Sequence, residues 1–214
     1  MSQRQYSASL VAVAMIMCGT AFVVSAQDEG VKQIQQLIKK ANAGVESIND
    51  AKAQVQKTME AYNSVLAPDV KDRRDAYKKL QKEMATADKK RAEVSSKTGE
   101  MNAEADKLFK SWEGSTGAIS NPDLKKRSED RLKKAQDRFA EIRQTGQSAS
   151  GLYEPFMKSL QDQVTFLGHD LNPGAVASLK PEAEKLNAQA TELYSAIDKV
   201  TAAANNNISK LSAE

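Results

Sequence analysis

Apolar residues recur at alternating intervals of three and four along most of this chain, and that spacing constrains its fold more than any other feature. Across residues 28–66 the series is Val31, Ile34, Ile38, Ala41, Val45, Ile48, Lys52, Val55, Met59, Tyr62 and Leu66. A mean interval of 3.5 residues nearly matches the helical turn, so these side chains fall on one stripe of a helix, as a coiled-coil seam requires. A strand alternates its side chains with a period of two and could not gather them on one face.

Three further stretches repeat the pattern. Residues 69–112 carry Val70, Arg73, Tyr77, Leu80, Met84, Ala87, Arg91, Val94, Thr98, Met101, Ala105, Leu108 and Trp112. Arg73, Arg91 and Thr98 interrupt this series and, with Lys52, suggest a seam that opens onto a groove. Long arginine stems can cover apolar surface while their heads reach water. The third stretch starts at Asn121-Pro122-Asp123, where a capping side chain, a proline at the first helical position and an acid in the first turn coincide. Its seam includes Leu132, Ala135, Phe139, Ile142, Gly146, Ala149, Tyr153, Phe156, Leu160 and Leu167, and Pro155 predicts a kink or break within it. The fourth starts at Asn172-Pro173 and carries Val176, Leu179, Ala183, Leu186, Ala190, Leu193, Ile197, Val200, Ala204, Asn207 and Leu211. Pro181 predicts that its regular helix begins only near that residue.

Short linkers at residues 67–68, 113–120 and 168–171 force consecutive long helices to lie side by side in opposite directions. The expected fold is all-α: an elongated antiparallel helical bundle or coiled coil of about four long helices. Acid-first pairs at four-residue spacing predict solvated, salt-bridged outer faces. They are Asp69–Arg73, Asp75–Lys79, Glu93–Lys97, Asp106–Lys110, Glu129–Lys133 and Asp130–Lys134.

Residues 1–26 read differently. They hold one base, Arg4, and no acid, with an apolar run over residues 10–24 and small residues at Val24-Ser25-Ala26. Charged start, apolar core and small-x-small exit make a secretory signal peptide. The expected domains are therefore 1–26, a signal peptide, and 27–214, a single helical bundle. The implied localisation is the periplasm or cell envelope. The alternative is an uncleaved N-terminal membrane anchor, although the run is short for a span of roughly 20 residues. Cys18 follows Met15-Ile16-Met17, which lacks the small residue a lipoprotein signal places before its cysteine, so it reads as part of the apolar core.

Chemistry-bearing patterns are sparse. The chain has one histidine and one cysteine, too few for a zinc or transition-metal cage, and neither a Glu-x-x-His pair nor a calcium loop occurs. No Gly-x-Ser-x-Gly elbow is present. Gly146 and Gly151 have P-loop spacing, but Leu152-Tyr153 follows where Lys-Ser/Thr is needed. The chain reads as neither an enzyme nor a cofactor protein. Its 31 bases against 28 acids leave no electrostatic footprint for a dedicated nucleic-acid binder. The densest basic cluster, Lys125-Lys126-Arg127 with Arg131, Lys133 and Lys134, reads first as a solvated helix face; the alternative is a patch for anionic lipid or an acidic partner. Trp112 reads as a plug at a helix end.

One segment is more specific than the heptads. Residues 162–172 (DQVTFLGHDLN), followed by AVASL at 175–179, resemble the signature of the bacterial domain of unknown function 2959 family. Its members are exported helical proteins with a Gln-Val-x-Phe-Leu-x-His-x-Leu-Asn turn. Leu108-Phe109, Trp112-Glu113, Ser128-Glu129-x-x-Leu132 and Glu154-Pro155 extend the likeness over most of the chain. Two positions depart from the family pattern: Cys18 lacks the lipobox that members often carry, and Gly168 stands where a base is common. The resemblance implies a fold and no activity, and it singles out the turn. A structural account has Phe166 and Leu167 closing the core, His169 bonding a helix end and Asn172 capping the next helix. The functional account makes Gln163, Phe166, His169 and Asn172 an interaction turn. The partners expected are a protein or a second copy of the chain, with a membrane surface as the other option. Neither nucleic acid nor a small-molecule substrate is expected.

Overall fold

The computed structural model describes the backbone of residues 20–213 and the side chains of residues 29–211. It has five helices and, among the described residues, no strand: α1 (Thr20–Leu66), α2 (Arg73–Gly117), α3 (Pro122–His169), α4 (Pro173–Ser178) and α5 (Lys180–Ala213). Of the expected signal segment, 1–19 and Cys18 with them lie outside the described residues, and 20–26 form the first turns of α1. Among the described residues no helix is long and apolar enough to cross a membrane.

Side chains start the helices where the sequence supplies caps. Asp72 accepts from the Asp75 N–H ahead of α2. Asn121 accepts from the N–H groups of Asp123 and Leu124 ahead of α3, and Asn172 from Ala175 ahead of α4. Each satisfies donors that the first helical turn leaves unpaired. Pro181 lies in the first turn of α5, where a missing N–H costs little, and the short α4 takes up the residues before it. Pro155 does not break its helix: α3 runs through it for 48 residues, without the bond that an N–H at 155 would give the Gly151 carbonyl. The second linker is shorter than expected, because α2 continues to Gly117. Trp112 is therefore inside α2, half-buried, with its indole N–H donating to Ser128 Oγ at 3.1 Å.

Cross-helix pairs fix the registers. From α1 to α2, Lys40 reaches Glu100 at 2.7 Å, Asp50 meets Lys90 at 2.9 Å, and Gln54 donates to Glu83 Oε2 at 2.6 Å. From α1 to α5, Asn49 meets Thr201, Lys52 meets Asp198 and Asn63 meets Asn187. From α2 to α3, Trp112 meets Ser128, Asp106 meets Arg143, and Tyr77 donates to the Val164 carbonyl. In each pair of helices the partner's number falls as the other rises. The α1–α2 contact is the most extensive; α2–α3 is thinner than α3–α5 or α1–α5.

The core forms two clusters. One gathers Val55, Met59, Tyr62, Val65, Leu80, Met84, Phe156, Leu160, Leu167, Leu186 and Leu193 near the end of α1. The other gathers Leu37, Ala41, Met101, Ala105, Leu108, Phe139, Ile142, Ala204 and Leu211 toward its start. Between them Arg91 lies over the Tyr153 ring, 5.5 Å from its centroid, and pairs with Glu154.

The seam expected for the fourth stretch is buried at all eleven positions, nine of them in α5 and Asn207 among these. That of α1 is not. Its deepest positions include Gln33, Leu37, Ser47, Gln54, Thr58, Ala61 and Val65, each one residue before an expected seam position. The reason is that α1 packs against both α2 and α5 and so buries two stripes. Val31, the first position of the expected seam, is 51% exposed.

The polar seam residues are each engaged. Lys52 is held by Asp198. Arg73 donates to the carbonyls of Val65 and Ala67, both at 3.0 Å, and so caps α1. Arg91 pairs with Glu154, and Thr98 donates to the Val94 carbonyl. The outer charges also pair differently from the four-residue expectation: Asp75 with Lys78, Glu93 with Lys90, Lys97 with Glu100, and Asp106 with Arg143.

Candidate functional site

The four residues of the expected interaction turn do not come together as one surface. Gln163 faces inward and is 8% exposed; its Oε1 accepts from the hydroxyl of Tyr62, which is fully buried. Its Nε2 is 3.5 Å from the Glu182 carbonyl in the first turn of α5. Gln163 thus ties α3 to α1 and α5. Burial pushes the Tyr62 phenol well above its ordinary pKa, with the charge of Glu182 adding to the effect. The hydroxyl is therefore a donor across the physiological range.

Asn172 also has a structural task. Its Oδ1 caps α4, its Nδ2 donates to Asp170 Oδ2 at 2.8 Å, and its own N–H donates to Asp170 Oδ1 at 3.0 Å. Asp170 closes α3 in turn, its N–H donating to the Phe166 carbonyl. The helix-end bond assigned to His169 is thus made by its neighbour, and His169 itself is exposed in the last turn of α3. Leu167 is fully buried as expected, but Phe166 is 44% exposed and does not close the core.

Gly168 has a clear packing reason. A Cβ there would lie 2.6 Å from the Tyr77 hydroxyl, which donates to the Val164 carbonyl at 3.0 Å. A side chain at 168 would displace that ring. Tyr62 and Tyr77, which hold the signature to α1 and α2, were visible in the sequence only as seam residues. Nothing in their spacing marked them as hydrogen-bond donors to residues about a hundred positions away.

A second feature lies at the opposite end. Where α2 and α3 part, two adjoining clefts of about 330 and 270 Å³ share Glu113 and Gln136. Phe109 and Phe139 meet edge to face at the floor of the larger, and Arg143 lies over the Phe139 ring while pairing with Asp106. Lys125, Glu129 and Lys133 line the smaller. Both clefts are open grooves with charges of both signs on their walls. Among the described residues no group of three or more His, Cys, Asp or Glu side chains is placed to hold a metal ion.

The model of the family described as "Protein of unknown function (DUF2959)" matches residues 24–211. No curated protein and no solved structure matches the chain.

Proposed function

This chain belongs to the DUF2959 family, whose function is unknown, and on that premise we propose that it is an exported, elongated antiparallel bundle of the bacterial cell envelope with a structural or protein-interaction role. Helices of 47, 45 and 48 residues extend for about 70 Å each. The descending registers between neighbours support a rod in which every long helix reverses the one before it. Export is supported by Arg4, the apolar run of residues 10–24 and the small residues that end it.

One observation carries the interaction role: the α2–α3 groove. There the half-buried Phe109 and the largely buried Phe139 line a cleft that stays open between α2 and α3. A partner helix, or one from a second copy, lays an apolar stripe into such a groove. The alternative, in which the helices spread their stripes on a bilayer, would expose the whole buried seam of α5. No catalytic role is proposed: Gln163, Asp170 and Asn172 of the signature turn bond to the fold.

Crosslinking in intact cells with a C-terminally tagged chain, followed by mass spectrometry, tests this. Crosslinks from Lys110, Lys125 or Lys133 to an envelope protein or to a second copy are expected. Crosslinks confined to single chains would refute the role.

A further inference from the structure

Burial is interrupted at the same level in two helices. No residue of α2 from 88 to 100 is buried, and none of α3 from 143 to 155, a gap of roughly three and a half turns in each. The two gaps lie side by side, since Arg91 meets Glu154 toward one end and Asp106 meets Arg143 toward the other. They fall between the core clusters. α2 and α3 leave the first cluster at Met84 and Phe156 and join the second at Met101 and Ile142. Within the α3 gap Ala149, Leu152 and Tyr153 reach the first cluster only half-buried. By contrast α1 and α5 stay packed across this waist. Ala41, Ser47, Val200 and Ala204 are buried there, and Asn49–Thr201 and Lys52–Asp198 join the two helices.

Both gaps are also poor in helix formers. α2 reads SSKTG at 95–99 and α3 reads TGQSASG at 145–151. A Cβ at Gly99, Gly146 or Gly151 would meet nothing within 4 Å, so packing requires none of these glycines, and each weakens its helix relative to alanine. Thr98, Thr145 and Ser148 donate back to the carbonyls four residues before them, a bond that bends helices. Pro155 removes one further rung, at the Gly151 carbonyl. Helices kink at prolines and at glycine–serine runs. Across the gap Arg91 and Glu154 are both exposed, so their ion pair holds α2 to α3 only weakly.

We propose that the bundle has a hinge at this waist: α2 bends within 95–99 and α3 within 145–155, α1 and α5 form the pivot, and each core cluster moves as an intact body. The residues that line the clefts, between Asp106 and Arg143, all belong to the body beyond the hinge. Bending therefore swings the groove relative to the signature turn without unpacking either cluster. The hinge needs neither a partner nor export, so it stands or falls separately from the proposed function.

The test is hydrogen exchange of the free full-length chain, followed by mass spectrometry of its peptides. Hinge bending breaks ladder bonds at the waist and spares those of the clusters. Amides at 96–100 and 146–154 are expected to exchange about tenfold or more faster than those at 80–87 and 157–167 on one side and at 101–108 and 135–142 on the other. The variant Gly99→Ala/Gly146→Ala/Gly151→Ala places its methyl groups in open space. It is expected to slow waist exchange by about fivefold per glycine in the helix that carries it. Gly114→Ala is equally open but lies in the last turn of α2, and it is expected to leave waist exchange unchanged. Waist amides that exchange as slowly as those of the clusters would overturn the proposal. So would equal slowing by Gly114→Ala, which would mean that the waist opens only with the whole fold. Exchange of the waist and second-cluster peptides at one common rate would also overturn it, because that half would then unfold instead of bending.

Discussion

Tyr62→Phe separates the structural from the functional account of the signature turn. The Tyr62 ring is fully buried among Val65, Leu160, Leu167 and Leu186, and phenylalanine keeps that packing. What is lost is the donor to Gln163 Oε1, leaving the acceptor of a carboxamide that is only 8% exposed without its partner. An unsatisfied buried polar group costs about 1–3 kcal/mol. For a chain of this size about 2 kcal/mol lowers the melting temperature by roughly 4–8 °C. Gln163→Leu creates the mirror-image defect, an orphaned phenol, and is expected to cost a similar amount. The double variant replaces both partners with apolar groups, which is close to neutral. The two effects should therefore be strongly non-additive, with a coupling of about 1–2 kcal/mol. Urea denaturation of the four proteins, followed at 222 nm, measures it. The Glu182 carbonyl keeps its bond within α5 in every variant, so its 3.5 Å contact with Gln163 adds little. A coupling below about 0.5 kcal/mol would show that Gln163 is not held by Tyr62, and the functional account of the turn would regain its ground.

Two further outcomes follow from tyrosines at neighbouring levels. The Tyr153 hydroxyl oxygen is buried without a hydrogen-bond partner among the described residues, and burial, then the charge of Asp88, pushes its pKa up to about 12 against the opposing effect of Arg91. Its folded-state pKa lies above the unfolded value near 10, so its contribution is intact below pH 10 and is lost as pH rises toward 12. Tyr153→Phe is expected to be neutral or slightly stabilising at pH 7 and to gain on wild type above pH 10, by at most about 1 kcal/mol per pH unit after solvent screening; a pH-independent difference in urea melts would contradict this. Gly168→Ala should gain about 1 kcal/mol of helix propensity and lose about as much by displacing Tyr77 from the Val164 carbonyl. It is expected to be nearly silent in wild type and stabilising in a Tyr77→Phe background, and equal effects in both backgrounds would show that the close approach does not matter.

The heptads revealed where helices lie and, for α5, which residues are buried. They misjudged α1 because a hydrophobic stripe reports one buried face, and α1 has two. Its second face mixes Leu37, Ala61 and Val65 with Gln33, Ser47, Gln54 and Thr58, and an apolar pattern does not mark the polar four. These polar groups tolerate burial because most are satisfied nearby. Ser47 donates to the Gly44 carbonyl and Thr58 to that of Gln54, both at 2.8 Å, while Gln54 reaches Glu83 across the α1–α2 contact. The caps Asn121 and Asn172 were legible because their chemistry is local. The roles of Gln163, Gly168 and Phe166 were not, since each depends on what α1 or α2 presents after folding. The unpaired state of the α3 bases was likewise hidden: the spacing of Glu129 to Lys133 and Asp130 to Lys134 permits pairs that do not form.

The helices are tied together most fully at the signature turn, and α5 takes part in that. At 34 residues it is shorter than its three long neighbours, and all of its stripe is used near the signature turn and along the middle of α1. At the turn, Tyr62 and Tyr77 bind α3 to α1 and α2, and Gln163 reaches toward α5. Every long helix is therefore fixed there, and the larger core cluster sits beside it. Toward the start of α1, α2 and α3 part and the clefts open between them. The unpaired cations of α3 and the exposed Val31 and Leu124 lie toward this same end. The open clefts thus lie at the end away from the one that Tyr62 and Tyr77 bind together.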